Sequence, residues 1–442
     1  MSNRVQPSLR LYPGTLNRFR RNKPALISVY ILGLLSAIAL LAPLLANEKP
    51  LYMKYKGKNY FPAFTFKKNY HINHTDGNYE KIQLDITSWK QIGAERIIWA
   101  PVTYSPGKSD FNNAGYVCPA CIQKGSDATG ASINAPMRFR HWLGTGQRGD
   151  DLLAGLIHGT RISLSIGFLS MGIASLIGIF LGAFSGYFGN NKLSASRGSI
   201  LTTIGGLFIG WFYGFQLRTE AIENAAQQSG IGFVVQLLLS LLIFAVIVLC
   251  CSWTGKFVGR IHWLNKQVLI HADGLISRLI EIMVSLPLFM LVLTVAALSK
   301  PSLVNLMVII GLTNWTGIAR LTRAEMLRVR QQEYIQSAKA LGMKELRIIL
   351  HHALPNSVAP ALVAVSFGIA DAILIESALS FLGLGVPAEV TTWGSLLSSG
   401  HGNFYAWWLV LFPGLCIFLT VTSYNLIGEG LRDALDPKMK QQ

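Results

Sequence analysis

No aspartate, glutamate, lysine or arginine occurs from Ile162 to Asn191, from Asn224 to Gly255, or from Val390 to Gly428. About 20 apolar residues in a helix cross the hydrocarbon core of a bilayer, so each of these runs is long enough to span. A helix in a soluble core has no need of such length. Spanning segments must bond all their backbone groups internally, which for continuous apolar runs leaves the helix. The sequence therefore predicts an all-α polytopic membrane protein. Composition agrees: 51% of the 442 residues are hydrophobic and 14% are charged, against about 25% charged in an average soluble domain. Disordered chains are excluded, and ordinary soluble enzymes fit poorly. The 39 basic residues outnumber the 22 acidic ones, but the surplus flanks apolar segments and forms no aromatic-interleaved patch. The lipid membrane, and no nucleic acid, is the partner implied.

Placement of the basic residues gives orientation. Arg4, Arg10, Arg18, Arg20, Arg21 and Lys23 precede the first apolar run with no acid among them, which puts residues 1–23 in the cytoplasm. The first span is 24–46, opened by Pro24, whose missing N–H is harmless in a first helical turn. It is too long for a signal-peptide core, and Leu44 is not the small residue a cleavage site needs, so the expectation is an uncleaved anchor. Further spans are expected near 160–188, 198–217, 231–253, 282–299, 301–319, 357–385 and 404–428. The 198–217 run is polar-spotted and barely long enough, so it either crosses with 231–253 as a hairpin or lies at the interface. The count is eight or six, and both leave the two termini on the cytoplasmic side. Glycines at 167, 172, 178, 182 and 186 read as helix-packing positions in the second span.

Residues 47–158 follow the first span and are expected outside the cytoplasm. Their fourteen basic and nine acidic residues do not contradict this, because long loops translocate largely regardless of charge. The alternating run "LYMKYKGKNYFPAF" around a Lys-Gly turn signal predicts a small domain of β or α/β character. Its aromatics (Tyr52, Tyr55, Tyr60, Phe61, Phe64, Phe66, Tyr70) are expected to pack a core of its own. Cys118 and Cys121, in Cys-Pro-Ala-Cys, pair as a local disulfide or stay free; with His71 and His74 they form a poorer zinc candidate, since the histidine spacing is short.

Between the 301–319 and 357–385 spans, the segment 320–356 carries seven basic and three acidic residues and is cytoplasmic by the positive-inside rule. Within it, Tyr334, Ala338 and Leu341 recur at helical spacing. Gly342 breaks the helix, and Leu346, Ile349 and Leu350 form a second apolar side before Pro355. Two short helices bent at a glycine make a knob suited to a groove on a soluble partner.

This stretch, 333–356, resembles the coupling loop of bacterial ABC-transporter permeases. The likeness lies in Ala338, Ala340-Leu341-Gly342, Arg347-Ile348-Ile349 and Leu354-Pro355-Asn356. Gln336 and Ser337 depart from it, where that family often has Glu and Ala. Blocks "RFRRNKPAL" (18–26), "LLAPLLA" (40–46), "HWLGTGQRGDDLLAGLIHGTRISLSIG" (141–167), "ESALSFLGLGVP" (376–387), "TWGSLL" (392–397) and "GLRDALDP" (430–437) resemble the dipeptide/oligopeptide permease subfamily. "ANEKPLYMKYKGKNYFP" and "WAPVTY" are similar to its oligopeptide and microcin C subtype, which has an enlarged outer loop. The resemblance implies a type I importer permease fold with six core spans, here with two extra. The core domain would be 273–437, ahead of a tail at 438–442, and 191–272 would be an insertion with a transmembrane hairpin. It further implies a subunit in the bacterial cytoplasmic membrane that passes peptides delivered by an extracytoplasmic binding protein. Such a subunit pairs with a second homologous permease and couples to separate ATPase subunits. The coupling residues implied are Gln336, Ser337, Ala338, Gly342, Arg347, Ile348, Leu354 and Pro355.

The chain itself carries no phosphate-binding loop of the Walker kind. Gly107-Lys108-Ser109 is the nearest run, but position 102 is Val where a Gly is needed, and the run lies in the outer loop. The expectation is a non-enzymatic subunit without cofactor, with ATP and magnesium held by the partner ATPase. Asp371 and Glu376 sit in an otherwise apolar span, where ionisable groups face protein or water. They lie about 140° apart around a helix. Each is a candidate for the pathway or for a helix contact, and Glu376 matches the resembled family's recurring Glu. A competing class is an ion- or proton-coupled carrier using both carboxylates, but no internal repeat supports it. A membrane hydrolase would need a paired acid/base or metal motif, which is missing.

Overall fold

The computed structural model describes residues 15–55, 57–64, 69–73, 79–83, 89, 94–126, 132–189, 193–228, 230–258, 267–299, 301–403 and 405–435. In chain order, helices α1 (Thr15–Arg21) and α2 (Lys23–Leu45) precede strands β1 (Tyr52–Tyr55), β2 (Lys58–Tyr60), β3 (Asn69–Asn73), β4 (Tyr79–Gln83), β5 (Arg96–Ile98), β6 (Lys124–Ser126) and β7 (Ser132–Asn134). Helix α3 (Leu152–Phe188) follows, then β8 (Leu193–Ser196), α4 (Arg197–Gly214), α5 (Thr219–Gln228), α6 (Gly230–Val258) and β9 (Gln267–Ile270). The remainder is helical: α7 (Ala272–Ser285), α8 (Leu288–Leu298), α9 (Leu303–Val329), α10 (Glu333–Ala340), α11 (Glu345–Ile348), α12 (Leu354–Ser357), α13 (Ala359–Phe381), α14 (Trp393–Ser399) and α15 (Trp408–Leu435). Among the described residues seven helices are long and apolar enough to cross a membrane, or eight if the bent pair α7–α8 is one span.

Three expected spans change. The second span starts at Leu152 rather than near Thr160, because the Asp151 carboxylate accepts the Ala154 N–H at 2.6 Å and caps an earlier first turn. The 282–299 span is not one straight helix: α7 and α8 meet at 81°. Pro287 stands at that break, where it offers no N–H to continue the ladder. Helix α9 also runs on to Val329, so Arg320, Arg323 and Arg328 extend a span instead of opening a loop.

The chain divides into two compact units. The first comprises 1–178, 286–318 and 358–442. Its outer part holds an antiparallel sheet in the order β2-β1-β5. Met53 faces Tyr60 and Tyr55 faces Lys58, so β1 and β2 pair as the hairpin expected there, with Gly57 at φ 75°; Lys56 of the expected turn lies outside the described residues. Met53, Tyr60, Trp89 and Trp99 are its core. Of the loop aromatics, Tyr60 is buried and Tyr55 packs against that core, whereas Phe61 and Phe64 are exposed. Phe66 lies outside the described residues. Strands β3–β4 and β6–β7 are separate hairpins. Below them α15 packs against both α2 and α13.

The second unit comprises 179–285 and 319–357. Strands β8 and β9 pair antiparallel from Leu193↔Ile270 to Ser196↔Gln267, closing the segment between them at its base. Beyond this stem α4 lies along α6. Gly206, Gly210 and Gly214 face Cys251, Phe244 and Ser240, so the polar-spotted run forms a helical hairpin with its neighbour. The end of α3 approaches α9 as closely: a Cβ on Gly182 would stand 2.5 Å from the Ala319 carbonyl, and one on Gly186 2.7 Å from that of Arg323. Gly172, by contrast, has open space. Gly186→Ala is therefore expected to lower stability by about 2 kcal/mol through overpacking. Gly172→Ala should be neutral or slightly stabilising through helix propensity alone. Thermal unfolding of the detergent-purified variants checks this contrast.

Candidate functional site

Residues 333–357 form a bent knob in the second unit. Helix α10 ends in a Schellman motif: the Gly342 N–H donates to the Lys339 carbonyl at 2.9 Å and the Met343 N–H to the Ala338 carbonyl at 3.2 Å. Gly342 sits at φ 72°, a left-handed conformation that costs other residues about 1–2 kcal/mol. The chain then reverses into α11, a single π turn at Ile349–Ala353, and α12.

The reversal sorts the knob's side chains. Ile335, Ala338, Ile348 and Ala353 are buried in one cluster with Ala183 and Tyr187 of α3 and Met326 and Val329 of α9. Leu341 and Leu346 point outward, 82% and 66% exposed, and Tyr334 and Leu350 are exposed as well. Sequence spacing grouped Ala338 with Tyr334 and Leu341 on one face. The structure separates them, since Ala338 turns inward beside Ile335 while the glycine bend carries Leu341 out. Of the coupling residues expected from sequence, Ala338 and Ile348 are anchors. Gln336, Ser337, Gly342 and Arg347 are exposed, and Leu354 and Pro355 are half-buried in the return. Gln336 donates its side-chain N–H to the Arg330 carbonyl at 3.0 Å, closing the knob's base.

Polar contacts fasten the knob to α3. The Tyr187 hydroxyl donates to the Glu345 carboxylate, and the Lys339 ammonium lies 5.0 Å from the centre of the Tyr187 ring, a cation–π contact. One residue pair away, Arg323 makes two hydrogen bonds to the Asp273 carboxylate, which also accepts from Ser185 at 2.7 Å. Sequence reading missed this set, because Asp273 and Arg323 are distant in the chain and belong to no local motif.

The two membrane carboxylates separate in the first unit. Glu376 is fully buried and accepts from Ser380 at 2.8 Å and from Ser163 and Ser377 at 3.4 Å each. Ser163 also receives the Trp393 N–H, so Glu376 ties α13 to α3 and α14: it is a helix contact. Asp371 is exposed on another side of α13. The structure does not bring the two together as a paired relay.

In the outer loop Cys118 and Cys121 are joined in a disulfide, one of the two states the sequence left open, which removes two thiolates from the zinc candidate. His71 lies in β3, and His74 is outside the described residues. A different histidine is engaged instead. His141 is fully buried, with Nδ1 2.7 Å from Asp151 and Nε2 3.2 Å from Asp110. Tyr104 stacks on its ring at 4.0 Å, and Gln123 brackets its backbone with two hydrogen bonds. Burial pulls the His141 pKa down, but the bonds to Asp110 and Asp151 outweigh it and hold it above the usual 6.5. Only an imidazolium donates to both carboxylates. Asp151 also caps α3, so the cluster pins the outer loop to the start of that helix. The only sign of it in the sequence was the run beginning at His141. A raised folded-state pKa stabilises fully below pH 6.5 and progressively less as pH rises through the raised value. Wild type should lose thermal stability relative to His141→Gln as pH rises above about 6.5 and through the raised value. A constant difference across that range refutes the charged pin.

Residues 271–441 match the family described as the inner membrane component of binding-protein-dependent transport systems. Residues 14–63 match the N-terminal transmembrane domain of oligopeptide transport permease C. A dipeptide transport system permease protein of Alkalihalophilus pseudofirmus is 33% identical over 301 residues, covering 68% of this chain and 73% of the relative. The dipeptide permease of Haemophilus influenzae is 39% identical over 199 residues, 45% of this chain and 66% of its own. The inner membrane ABC transporter permease protein YejE of Escherichia coli is 26% identical over 430 residues, 95% of both chains. That last match is long enough to take in the outer loop and the 191–272 segment, for which sequence reading alone found no counterpart.

Proposed function

This chain belongs to the family of binding-protein-dependent transport permeases of the bacterial inner membrane, and we propose that it conducts peptides for an ATP-driven importer. The cargo follows from relatives named as dipeptide, di/tripeptide and peptide transport permeases. An extracytoplasmic peptide-binding protein delivers the cargo, a second homologous permease completes the pathway, and separate ATPase subunits bind ATP and magnesium. The chain itself performs no hydrolysis and holds no cofactor. Both termini face the cytoplasm, since α1 is basic and carries no acid in its first turn, consistent with the positive-inside rule.

The observation that carries the coupling assignment is the glycine-bent knob. Its apolar anchors are buried against α3 and α9, and its apolar tips, Leu341 and Leu346, stand in the open. An exposed leucine pair on a rigid support suits a groove on a soluble partner better than it suits water. Motion imposed on the tips passes to α3 through Ile335, Ile348 and the Tyr187–Glu345 bond, because a packed cluster moves as a body. The β8–β9 stem and the α4–α6 hairpin form an accessory module of residues 191–272, separate from this coupling route.

Two variants test the reading. Leu341→Asp should abolish co-purification of the ATPase and peptide uptake at unchanged membrane abundance, since it alters only an exposed tip. Gly342→Pro should do the same by destroying the Schellman bend, for proline cannot adopt a positive φ. ATP-dependent uptake at the wild-type rate in both would sink the coupling assignment.

A further inference from the structure

The first unit holds a cavity of ≈ 320 Å³ lined by Phe367 of α13 and by Thr422, Asn425, Leu426, Glu429 and Arg432 of α15. The four polar residues among these recur at helical spacing and form one stripe along α15. Asn425, Glu429 and Arg432 are exposed. Phe367 reaches across α15 at Gly428, where a Cβ would stand 3.0 Å from its ring. Asp371 lies one turn further along the same face of α13 as Phe367, halfway along a span of 23 residues.

None of Asp371, Thr422, Asn425, Glu429 and Arg432 has a hydrogen-bond or ion-pair partner among the described residues. Glu429 and Arg432 are three residues apart, yet they do not pair. At the same spacing, Arg278–Glu281 and Arg328–Glu325 do. An unpaired carboxylate at mid-span is costly against lipid, so it faces water or protein. Ala25, near the start of α2, abuts Gly430, which puts Arg432 at the cytoplasmic end of the stripe. Thr422 is then roughly 15 Å deeper than Arg432 at 1.5 Å per residue. The stripe thus runs inward from the membrane interior to its cytoplasmic side.

We infer that this stripe, with Asp371 at its inner limit, lines the cytoplasmic half of the translocation pathway and engages passing peptides. The inference rests on the peptide reading above and assigns residues to it. A peptide carries an ammonium group, a carboxylate and amides between them. Asp371 and Glu429 offer acceptors for the first, Arg432 a donor for the second, and Thr422 and Asn425 side chains for the amides. Separated, unsaturated groups suit a ligand that must also leave. Asp371, the one charged group among them at mid-span, favours cargo with additional positive charge.

The test uses the complete transporter, with Cys250, Cys251 and Cys416 replaced by serine, in inside-out vesicles. A membrane-impermeant thiosulfonate should label Thr422→Cys about tenfold faster than Leu34→Cys, an exposed mid-span position on α2. A transported tripeptide and the binding protein enclosed in the lumen, with ATP added outside, should slow that labelling. In uptake, Asp371→Asn should cut a lysine-containing tripeptide about tenfold and tri-alanine less than about twofold, relative to wild type. Delivery by the binding protein cancels in that ratio. Labelling of Thr422→Cys as slow as Leu34→Cys would mean lipid or a neighbouring helix covers the stripe and would overturn the inference, as would an equal loss for both peptides. Should wild type take up neither peptide, the peptide reading itself fails, and this inference with it.

Discussion

Close approach of α3 to α9 is the contact on which the rest depends. In the first unit a Cβ on Gly178 would stand 2.7 Å from the Trp315 carbonyl, and in the second Gly182 and Gly186 meet the carbonyls of Ala319 and Arg323 as tightly. Glycines four apart on one helix present bare backbone along a single face. Two membrane helices gain little from hydrophobic driving force, so backbone-to-backbone contact must supply the attraction. That contact brings Ala183 and Tyr187 beside Met326 and Val329, which is the surface the knob is built on. Asp273 and Arg323 meet at the same level. The knob's position is therefore a consequence of three missing side chains on α3.

Polar groups inside the spans divide by whether the chain satisfies them. Glu376 is enclosed by three serine hydroxyls, and its neighbours Trp393 and Ser163 bond each other. Removing it would leave those hydroxyls without their acceptor, which is the expensive direction for a buried network. Asp371, only five residues away, has no such enclosure. Two carboxylates on one helix thus play different parts because α13 presents one to packed helices and the other to an open face. Composition treats them alike, and periodicity says only that they point apart.

Much of the architecture was legible in the sequence. Charge-free runs marked the spans, the Lys-Gly signal marked the β1–β2 hairpin, and Gly342 marked the bend. What escaped was of two kinds. Boundaries moved where one side chain competes with a pattern: Asp151 starts α3 early by capping it, and Pro287 breaks a run whose apolarity alone looked continuous. Long-range polar sets escaped altogether. His141 with Asp110 and Asp151, and Asp273 with Arg323, join residues that no local window contains. The knob itself was read correctly as a glycine-bent pair of helices. Its faces were misassigned, because helical spacing cannot carry through a left-handed residue.

The additions to the family core are built so as not to disturb it. The inserted segment leaves and returns through β8 and β9, whose four-pair ladder brings its ends together. Outside that stem, Asp273 N–H reaches the Gly189 carbonyl at 3.4 Å, and Ser185 bonds the Asp273 side chain. The end of α3 and the start of α7 are therefore joined directly, as they would be by a short loop. Loop closure cost grows only slowly with length, so a segment whose own helices pack against each other adds little strain to the junction. The outer domain follows the same rule: Ala46, at the end of α2, is held beside Val102, and the loop's own aromatic core lies beyond. One family match starts at residue 271, directly after β9, and the other ends at 63, within the outer domain's first turns. A core that packs the knob on α3 and α9 can accept such modules because their ends are tied before they reach it.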